Sequence, residues 1–336
     1  MRVLICGGAG YIGSNMAAML NAPLLSCESK KGGYEPVVFD NLSTGHKAAV
    51  GQTEFVEGDL ADYELLVTTL KKYDIEAVMH FAAFVEVGES VRAPLKYYRN
   101  NLCNTQNLLS AMEAAGVEKF VFSSTAAVYG IPKQTPITED SPTEPINPYG
   151  QTKLAVERMC HYQSRAEKLR YASLRYFNTC GAGNNATLGE DHRPESHLIP
   201  LTIQAAMGKR SEITVYGTDY QTPDGTCIRD YIHIDDLCRA HLLVLNKLDQ
   251  SREVVYNLGN GKGFSVKEVI ETVKRVSGKD FKVVAADRRP GDAPILTSDA
   301  TKVRNELGWK TEKPDLEEMV SSAWQWHNEY PNGYPD

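Results

Sequence analysis

Val3-Leu4-Ile5-Cys6-Gly7-Gly8-Ala9-Gly10-Tyr11-Ile12-Gly13 is a short apolar run that breaks into glycines and resumes as an apolar-periodic stretch, Ile12–Leu20. The spacing predicts a strand, a tight turn and a helix. Glycines at 7, 10 and 13 have no side chain to block the turn, the approach of a pyrophosphate or the packing of helix on strand. The helix N-terminus then offers free N–H groups and a partial positive charge to an anion. An acidic residue, Asp40, closes the next apolar run, where a carboxylate can hydrogen-bond a ribose diol and so favour NAD over NADP. Asp40 follows the glycines at more than the usual ~20 residues. The stretch 21–35 (NAPLLSCESKKGGYE) accounts for the excess as a surface insertion with no assigned function. Asp59, after a third apolar run, is placed to reach the adenine edge, or else is simply a turn aspartate.

The first half of the chain continues the alternation. Val3–Cys6, Pro36–Phe39, Glu54–Val56, Ala77–Phe81 and Phe120–Ser123 read as strands. Ile12–Leu20, Tyr63–Lys72, Pro94–Ala115 and Pro148–Leu169 read as helices, with Pro94 and Pro148 suited to a first turn that needs no N–H. Strands alternating with helices make the fold class α/β, a Rossmann-type doubly wound parallel sheet. After Tyr176 the texture changes. Residues 178–197 (NTCGAGNNATLGEDHRPESH) read as a long loop, of a length that is usually functional or disordered, followed by shorter elements near 198–207, 213–216, 235–245 and 266–276 and a charged loop at 287–292. We expect a nucleotide-binding domain at 1–176 and a smaller C-terminal α/β lobe at 177–336, with some elements crossing back.

Length and charge agree with this organisation. The 336 residues are enough for about two domains. Thirty-six basic against 43 acidic residues leave a formal charge of −7, which argues against a nucleic-acid or anionic-membrane surface. Seven scattered cysteines with no C-x-x-C pair argue against a disulfide framework or a zinc site, so no metal is expected. No run approaches the ~18 apolar residues of a membrane-spanning helix, and the N-terminal run is too short for a signal peptide. A reducing cytoplasm is the expected compartment.

Tyr149-Gly150-Gln151-Thr152-Lys153 stands at the start of the helix from Pro148 and puts a phenol and an ammonium on one helix face. Ser123-Ser124-Thr125 ends a strand, where ligand sites of α/β sheets gather. A phenol of pKa ~10 acting as a base near pH 7 needs a drop of about three units, or ~4 kcal/mol. One cation at ~6 Å and an effective dielectric of ~20 supplies roughly 2.8 kcal/mol. Lys153 alone therefore falls short, and the positive ring of oxidised NAD is the second cation. On this reading Tyr149 is an effective base only with NAD⁺ bound, and Thr125 holds the reacting hydroxyl.

These residues look like an extended short-chain dehydrogenase/reductase. The match tightens with Val87-Gly88-Glu89-Ser90, Leu174-Arg175-Tyr176-Phe177-Asn178, Asp224-Gly225-Thr226, Arg229-Asp230-Tyr231-Ile232-His233, Tyr256-Asn257-Leu258-Gly259 and Pro290-Gly291-Asp292. Together they resemble the UDP-glucose (UDP-galactose) 4-epimerases, from Arg2 to the terminal Gly333-Tyr334-Pro335-Asp336. The resemblance implies a redox-neutral inversion at sugar C4. Tyr149 takes the 4-hydroxyl proton, the C4 hydride passes to bound NAD⁺, the 4-keto sugar turns over, and the hydride returns to the other face. Catalytic roles fall to Tyr149, Lys153 and Thr125. Cofactor contacts fall to Gly7, Gly10, Tyr11, Ile12, Gly13, Asp40, Asn41, Asp59, Leu60, Phe81, Ala82, Ala83, Asn100, Ser123, Tyr149, Lys153 and Tyr176. Substrate contacts fall to Thr125, Asn178, Leu198, Tyr216, Arg229, Arg289, Asp292 and Leu296. Arg229 and Arg289 would clamp a diphosphate and Asp292 would bind the uridine ribose. Such proteins are usually homodimers, joined here through the helices at 94–115 and 148–169.

Three positions depart from that pattern. Cys6 replaces a threonine, Val85 stands where some relatives carry a lysine near the nicotinamide, and Leu296 is intermediate between a large tyrosine and a small side chain beside the sugar. The size of Leu296 leaves a UDP-N-acetylhexosamine open, and the Asp224-Gly225-Thr226 region leaves a UDP-arabinose or UDP-xylose open. Ala126-Ala127 after Thr125 argues against a 4,6-dehydratase, which wants an acidic pair there. A noncatalytic NAD-binding scaffold or sensor is the alternative of another class, and the 178–197 loop as a partner surface is a third.

Overall fold

The structure is a computed structural model that describes residues 1–22, 33–289 and 291–335. Most of the 21–35 insertion, Pro290 and Asp336 lie outside the described residues. Thirteen strands are described: β1 (Arg2–Cys6), β2 (Glu35–Asp40), β3 (Glu54–Glu57), β4 (Ala77–His80), β5 (Lys119–Thr125), β6 (Arg170–Tyr176), β7 (Asn178–Cys180), β8 (Glu212–Tyr216), β9 (Ile228–His233), β10 (Glu253–Leu258), β11 (Gly263–Ser265), β12 (Lys282–Ala286) and β13 (Ile295–Leu296).

Seven of them form one parallel sheet in the order β10-β6-β5-β4-β1-β2-β3. Val3, Leu4, Ile5 and Cys6 are all buried because helices cover both faces. Side chains alternate between those faces. Val3 and Ile5 join Met79, Val121, Leu174 and Tyr256 beneath the helices Tyr11–Asn21 and Ile234–Lys247. Leu4 and Cys6 join Val78, Phe120 and Phe122 beneath Tyr63–Lys72, Asn104–Ala115 and Pro148–Arg165. The strand order reverses between β1 and β4, and that switch opens a crevice at the strands' C-terminal ends.

The expected helix 94–115 is continuous but not uniform. Pro94–Tyr97 passes into wide π-helical turns at Tyr98–Cys103 before Asn104–Ala115. The wide segment turns Asn101 back to Phe84, bonding its N–H and its C=O at 2.9 Å each. The helix from Pro148 is started by Asn147, whose side chain accepts from Gly150 N at 2.9 Å, and it ends at Arg165 rather than Leu169.

The chain beyond Phe177 builds a second cluster around Ile203, Tyr231, Val269, Met319 and Val320, with β7, β9, β11 and β13 in one small sheet and β8 paired with β12. It also returns to the first sheet. Ile234–Lys247 covers one face, and β10 extends the edge beside β6. The two lobes are thus interleaved in sequence. Among the described residues no helix is long and apolar enough to cross a membrane.

Candidate functional site

A cavity of about 920 Å³ runs across the C-terminal ends of the sheet. Gly7, Gly10, Tyr11, Ile12 and Gly13 line one end of it. A Cβ on Gly13 would lie 2.2 Å from the Gly7 carbonyl oxygen, and one on Gly7, whose φ is +79°, would lie 2.5 Å from Ala82 N. Positions 7 and 13 are therefore closed to any side chain, and the helix that starts at Tyr11 begins on the cavity wall, which fits a dinucleotide pyrophosphate. Gly13→Ala should lower stability by about 1–3 kcal/mol through overpacking and reduce retained dinucleotide. A Tm and a dinucleotide content equal to those of the parent would count against this.

Asp40 does more than the sequence implied. One carboxylate oxygen accepts Ala9 N at 3.0 Å and the other Leu42 N at 2.8 Å, so it braces the glycine turn while lining the cavity. Burial pushes its pKa up, and these two N–H groups oppose the rise. Asn41 donates to Asp59 at 2.6 Å, which fixes that carboxylate beside Leu60. Phe81, Ala82, Ala83 and Asn100 complete this end. Ser43, Thr44 and Asn104 also line it, although no motif pointed to them.

Thr125, Tyr149 and Tyr176 stand on the middle of the cavity wall. Tyr149 is half-buried, with its ring forming part of that wall. Surrounding protein pushes its phenol above the ordinary value, and a hydrogen bond with Thr125 opposes this. Lys153 and Ser123 are not on the wall but directly behind it. Lys153 is only 2% exposed. Its ammonium donates to Ser123 O at 2.7 Å and lies 4.9 Å from the centre of the Phe122 ring. Tyr176 donates its hydroxyl to Ser123 Oγ. The bond described for the Lys153 ammonium is therefore to a strand carbonyl. A buried ammonium needs an acceptor, and the strand carbonyl supplies it.

Burial lowers the Lys153 pKa to about 7, and Glu157 opposes the fall. Below pH 7 the folded and unfolded chains both carry the charge, and its burial cost is felt in full. Between about 7 and the unfolded value near 10.4, the unfolded chain keeps a proton that the folded chain has lost, so this group's contribution to stability rises with pH. The urea midpoint of the dinucleotide-free protein, taken relative to Lys153→Met, should therefore rise from about pH 7 to about pH 9. Parallel pH profiles for the two proteins would refute it.

On the remaining side, Asn178, Arg229, Asp292 and Leu296 line the cavity, while Leu198, Tyr216 and Arg289 are not among its lining residues. Arg229 donates to Ala293 O at 2.8 Å and reaches Asp292 at 3.4 Å. Arg289 donates to the other oxygen of Asp292 at 2.9 Å and lies 5.0 Å from the centre of the exposed Tyr216 ring. The two arginines therefore converge on one carboxylate at the cavity mouth. Val85 lines the cavity with Phe84, Glu86, Arg92 and Lys96. The 178–197 loop adds Glu190, His192 and His197. None of Phe84, Glu86, Arg92, Lys96, Glu190, His192 and His197 was singled out for a role in the sequence, because periodicity and spacing do not mark which loop residues or helix ends face a cleft.

The chain matches the model of the NAD dependent epimerase/dehydratase family over residues 3–259. It is 48% identical over 335 residues to the UDP-glucose 4-epimerase of Halalkalibacterium halodurans, covering 99% of this chain and 98% of that one. It superposes on the UDP-glucose 4-epimerase of Brucella ovis in complex with NAD with a TM-score of 0.91, at 46% identity, covering 97% of this chain and 98% of the other. The UDP-glucose 4-epimerase of Bifidobacterium longum in complex with NAD⁺ and UDP gives a TM-score of 0.91 at 38% identity, covering 99% and 100%.

Proposed function

The chain belongs to the NAD dependent epimerase/dehydratase family, and from that premise we infer that it inverts C4 of a UDP-hexose, interconverting UDP-galactose and UDP-glucose with NAD as cofactor. The observation that carries this reading is the single cavity shared by the glycine turn, Thr125, Tyr149 and Arg229. It joins a dinucleotide cradle, a proton acceptor and a diphosphate-binding cation within reach of one substrate.

NAD, when bound, supplies a carbon that accepts a hydride and gives it back. The rest falls to the chain. Tyr149 takes the proton of the sugar 4-hydroxyl as the C4–H bond breaks, leaving a 4-keto sugar, and returns it when the C–H bond re-forms on the other face. Thr125 orients that hydroxyl. Lys153, Ser123 and Tyr176 hold the cofactor side of the site. Gly7, Gly10, Tyr11, Ile12 and Gly13 take the pyrophosphate; Asp40 and Asn41 take the adenosine ribose; Asp59 and Leu60 take the adenine; Phe81, Ala82, Ala83 and Asn100 border the nicotinamide half. Arg229 and Arg289 release part of Asp292 to clamp the UDP diphosphate, and Asp292 turns to the uridine ribose. Asn178, Leu198, Tyr216 and Leu296 shape the sugar and uracil ends.

In this reading residues 1–176 hold NAD, and 177–336 hold the nucleotide sugar apart from the segment 234–258 that returns to the sheet. A homodimer in the cytoplasm is the expected form. The exposed Val87, Val91 and Leu95 beside the helix at 148–165 support an interface there.

Purified protein incubated with UDP-galactose should yield UDP-glucose with no net NADH. Steady NADH release, or no UDP-glucose, would overturn the assignment. Parallel reactions with UDP-N-acetylglucosamine, UDP-xylose and UDP-glucuronate should be slower, and a faster one would reassign the sugar.

A further inference from the structure

The loop between β7 and the helix Leu198–Ala206 brings together four side chains that the epimerisation does not use. We propose that Glu190, His192, Glu195 and His197 form a site for one divalent transition cation, Zn²⁺ by ligand chemistry, that clamps this loop over the cavity.

The geometry is that of a coordination shell. Each residue offers one donor atom, and the four atoms lie within 4.8 Å of one another. His192 Nδ1 is 3.1 Å from Glu190 Oε1 and 3.7 Å from Glu195 Oε2. His197 Nδ1 is 2.8 Å from Glu190 Oε1 and 3.0 Å from Glu195 Oε1. A tetrahedral ion with bonds of about 2.0–2.1 Å sets its ligand atoms about 3.3 Å apart. The four nitrogen–oxygen separations run from 2.8 to 3.7 Å, taking either oxygen of Glu195, and the four donors would draw in from a spread of up to 4.8 Å. Two imidazoles and two carboxylates are a donor set suited to zinc.

Charge points the same way. The Glu190 and Glu195 side chains are only 7% and 4% exposed. Two buried carboxylates need two positive charges nearby. A divalent ion supplies both at once, with neutral imidazoles. The alternative is a pair of imidazolium ions. His192 Nδ1 is buried between the two carboxylates, 3.1 Å from Glu190 and 3.7 Å from Glu195, and is poorly aligned with either for a directed hydrogen bond. A ring nitrogen aimed at two carboxylates without a well-directed bond is what a ligand atom awaiting an ion looks like.

The place of the site suggests its role. Asp191 is held from one side by Tyr334 N at 3.0 Å and by His46 at 3.3 Å. Ser196 Oγ donates to Glu86 Oε1 at 2.6 Å across the cavity mouth. Between these two anchors the four donors chiefly meet one another. An ion there ties the segment into a closed ring and positions His197 and Glu190 on the cavity wall.

The experiment uses the full-length protein, stripped with a chelator and dialysed against ZnCl₂. Wild type should retain about one zinc per chain by elemental analysis, a four-ligand site of this kind holding one ion. His192→Gln and Glu195→Gln should each lose most of it. Zinc should raise the Tm of the wild type and leave both variants unmoved. Co²⁺ loading should produce the strong visible absorption of a tetrahedral site in wild type only. NAD content reports that the variants remain folded. No stoichiometric zinc in wild type, equal retention by NAD-loaded variants, or a weak octahedral Co²⁺ spectrum would overturn the proposal and leave two imidazolium–carboxylate pairs in its place.

Discussion

Tyr149→Phe should lower turnover of UDP-galactose by about 10²- to 10⁴-fold, the range that removal of a general acid–base group produces, while NAD remains bound. The substitution deletes one hydroxyl and leaves the ring in the cavity wall, so stability should change little. The size of the effect follows from the proton. A phenol must lose its proton near neutral pH to start the reaction, and of the two phenols on this part of the wall Tyr176 is committed to Ser123 Oγ. In the NAD-free protein the phenol is poorly placed to do so. Burial raises its pKa, and Thr125 opposes this. The fall to neutral pH must therefore come with the positive charge of the bound oxidised cofactor. A phenolate absorbance that appears on NAD⁺ binding in wild type, and is missing in Tyr149→Phe, would show it. Near-normal turnover in the variant would sink Tyr149 as the base.

Arg175→Met should destabilise the protein by about 3–5 kcal/mol, the loss expected when one partner of a buried ion pair is removed and the other is left uncompensated. Arg175 grips Glu157 with two nitrogens, Nε at 2.9 Å and Nη2 at 2.5 Å, and both side chains are under 10% exposed. Ser124 donates to the same carboxylate. The other guanidinium nitrogen donates to the Tyr129 hydroxyl at 3.0 Å. Tyr129 in turn donates to Asn257 at 2.7 Å, and Asn257 N donates to Glu139 at 2.8 Å. The network ties β5, β6 and β10 to the helix that carries Tyr149 and Lys153, with Glu157 one turn beyond Lys153. Its loss should therefore also depress turnover. The double variant Glu157→Leu/Arg175→Met removes both charges and should recover a large part of the stability. Urea unfolding of the single and double variants checks this, and equal midpoints for the two would rule out an uncompensated charge as the cause.

Much of the site was legible along the chain because its parts are local. Gly7, Gly10 and Gly13 sit in one turn, and the need for glycine at 13 is a contact with Gly7 six residues away, although the one at 7 is a contact with Ala82 on the neighbouring strand end. Tyr149 and Lys153 share one helical turn. The alternation of short apolar runs with helical stretches placed β1 to β5, each to within a residue or two at each end, because buried parallel strands must be apolar throughout, but it missed β6 (Arg170–Tyr176). Resemblance to known sequences then named the chemistry that those positions serve.

Partners far apart in sequence were not legible. Asp40 was expected to reach a ribose, yet its carboxylate also holds Ala9 N, 31 residues away. Lys153 was read for its place on the Tyr149 helix face, and its bond to Ser123 O, 30 residues away, was not foreseen. Arg229 and Arg289 were expected to face a diphosphate independently, yet both converge on Asp292. The strand β10 and the Arg175 network gave no periodic signal of their own. Hydrophobic period, glycine spacing and helical register are properties of a few consecutive residues, so sequence alone determined the strand–turn–helix cradle, the parallel α/β class of the main sheet and the Tyr149–Lys153 pair, while the strand order, with β6 and β10 at one end, came from the tertiary structure. The acceptor that each buried charge finds depends on which backbone and side-chain groups packing brings within 3 Å. Only the tertiary structure decided those pairings, together with the loop that gathers Glu190, His192, Glu195 and His197.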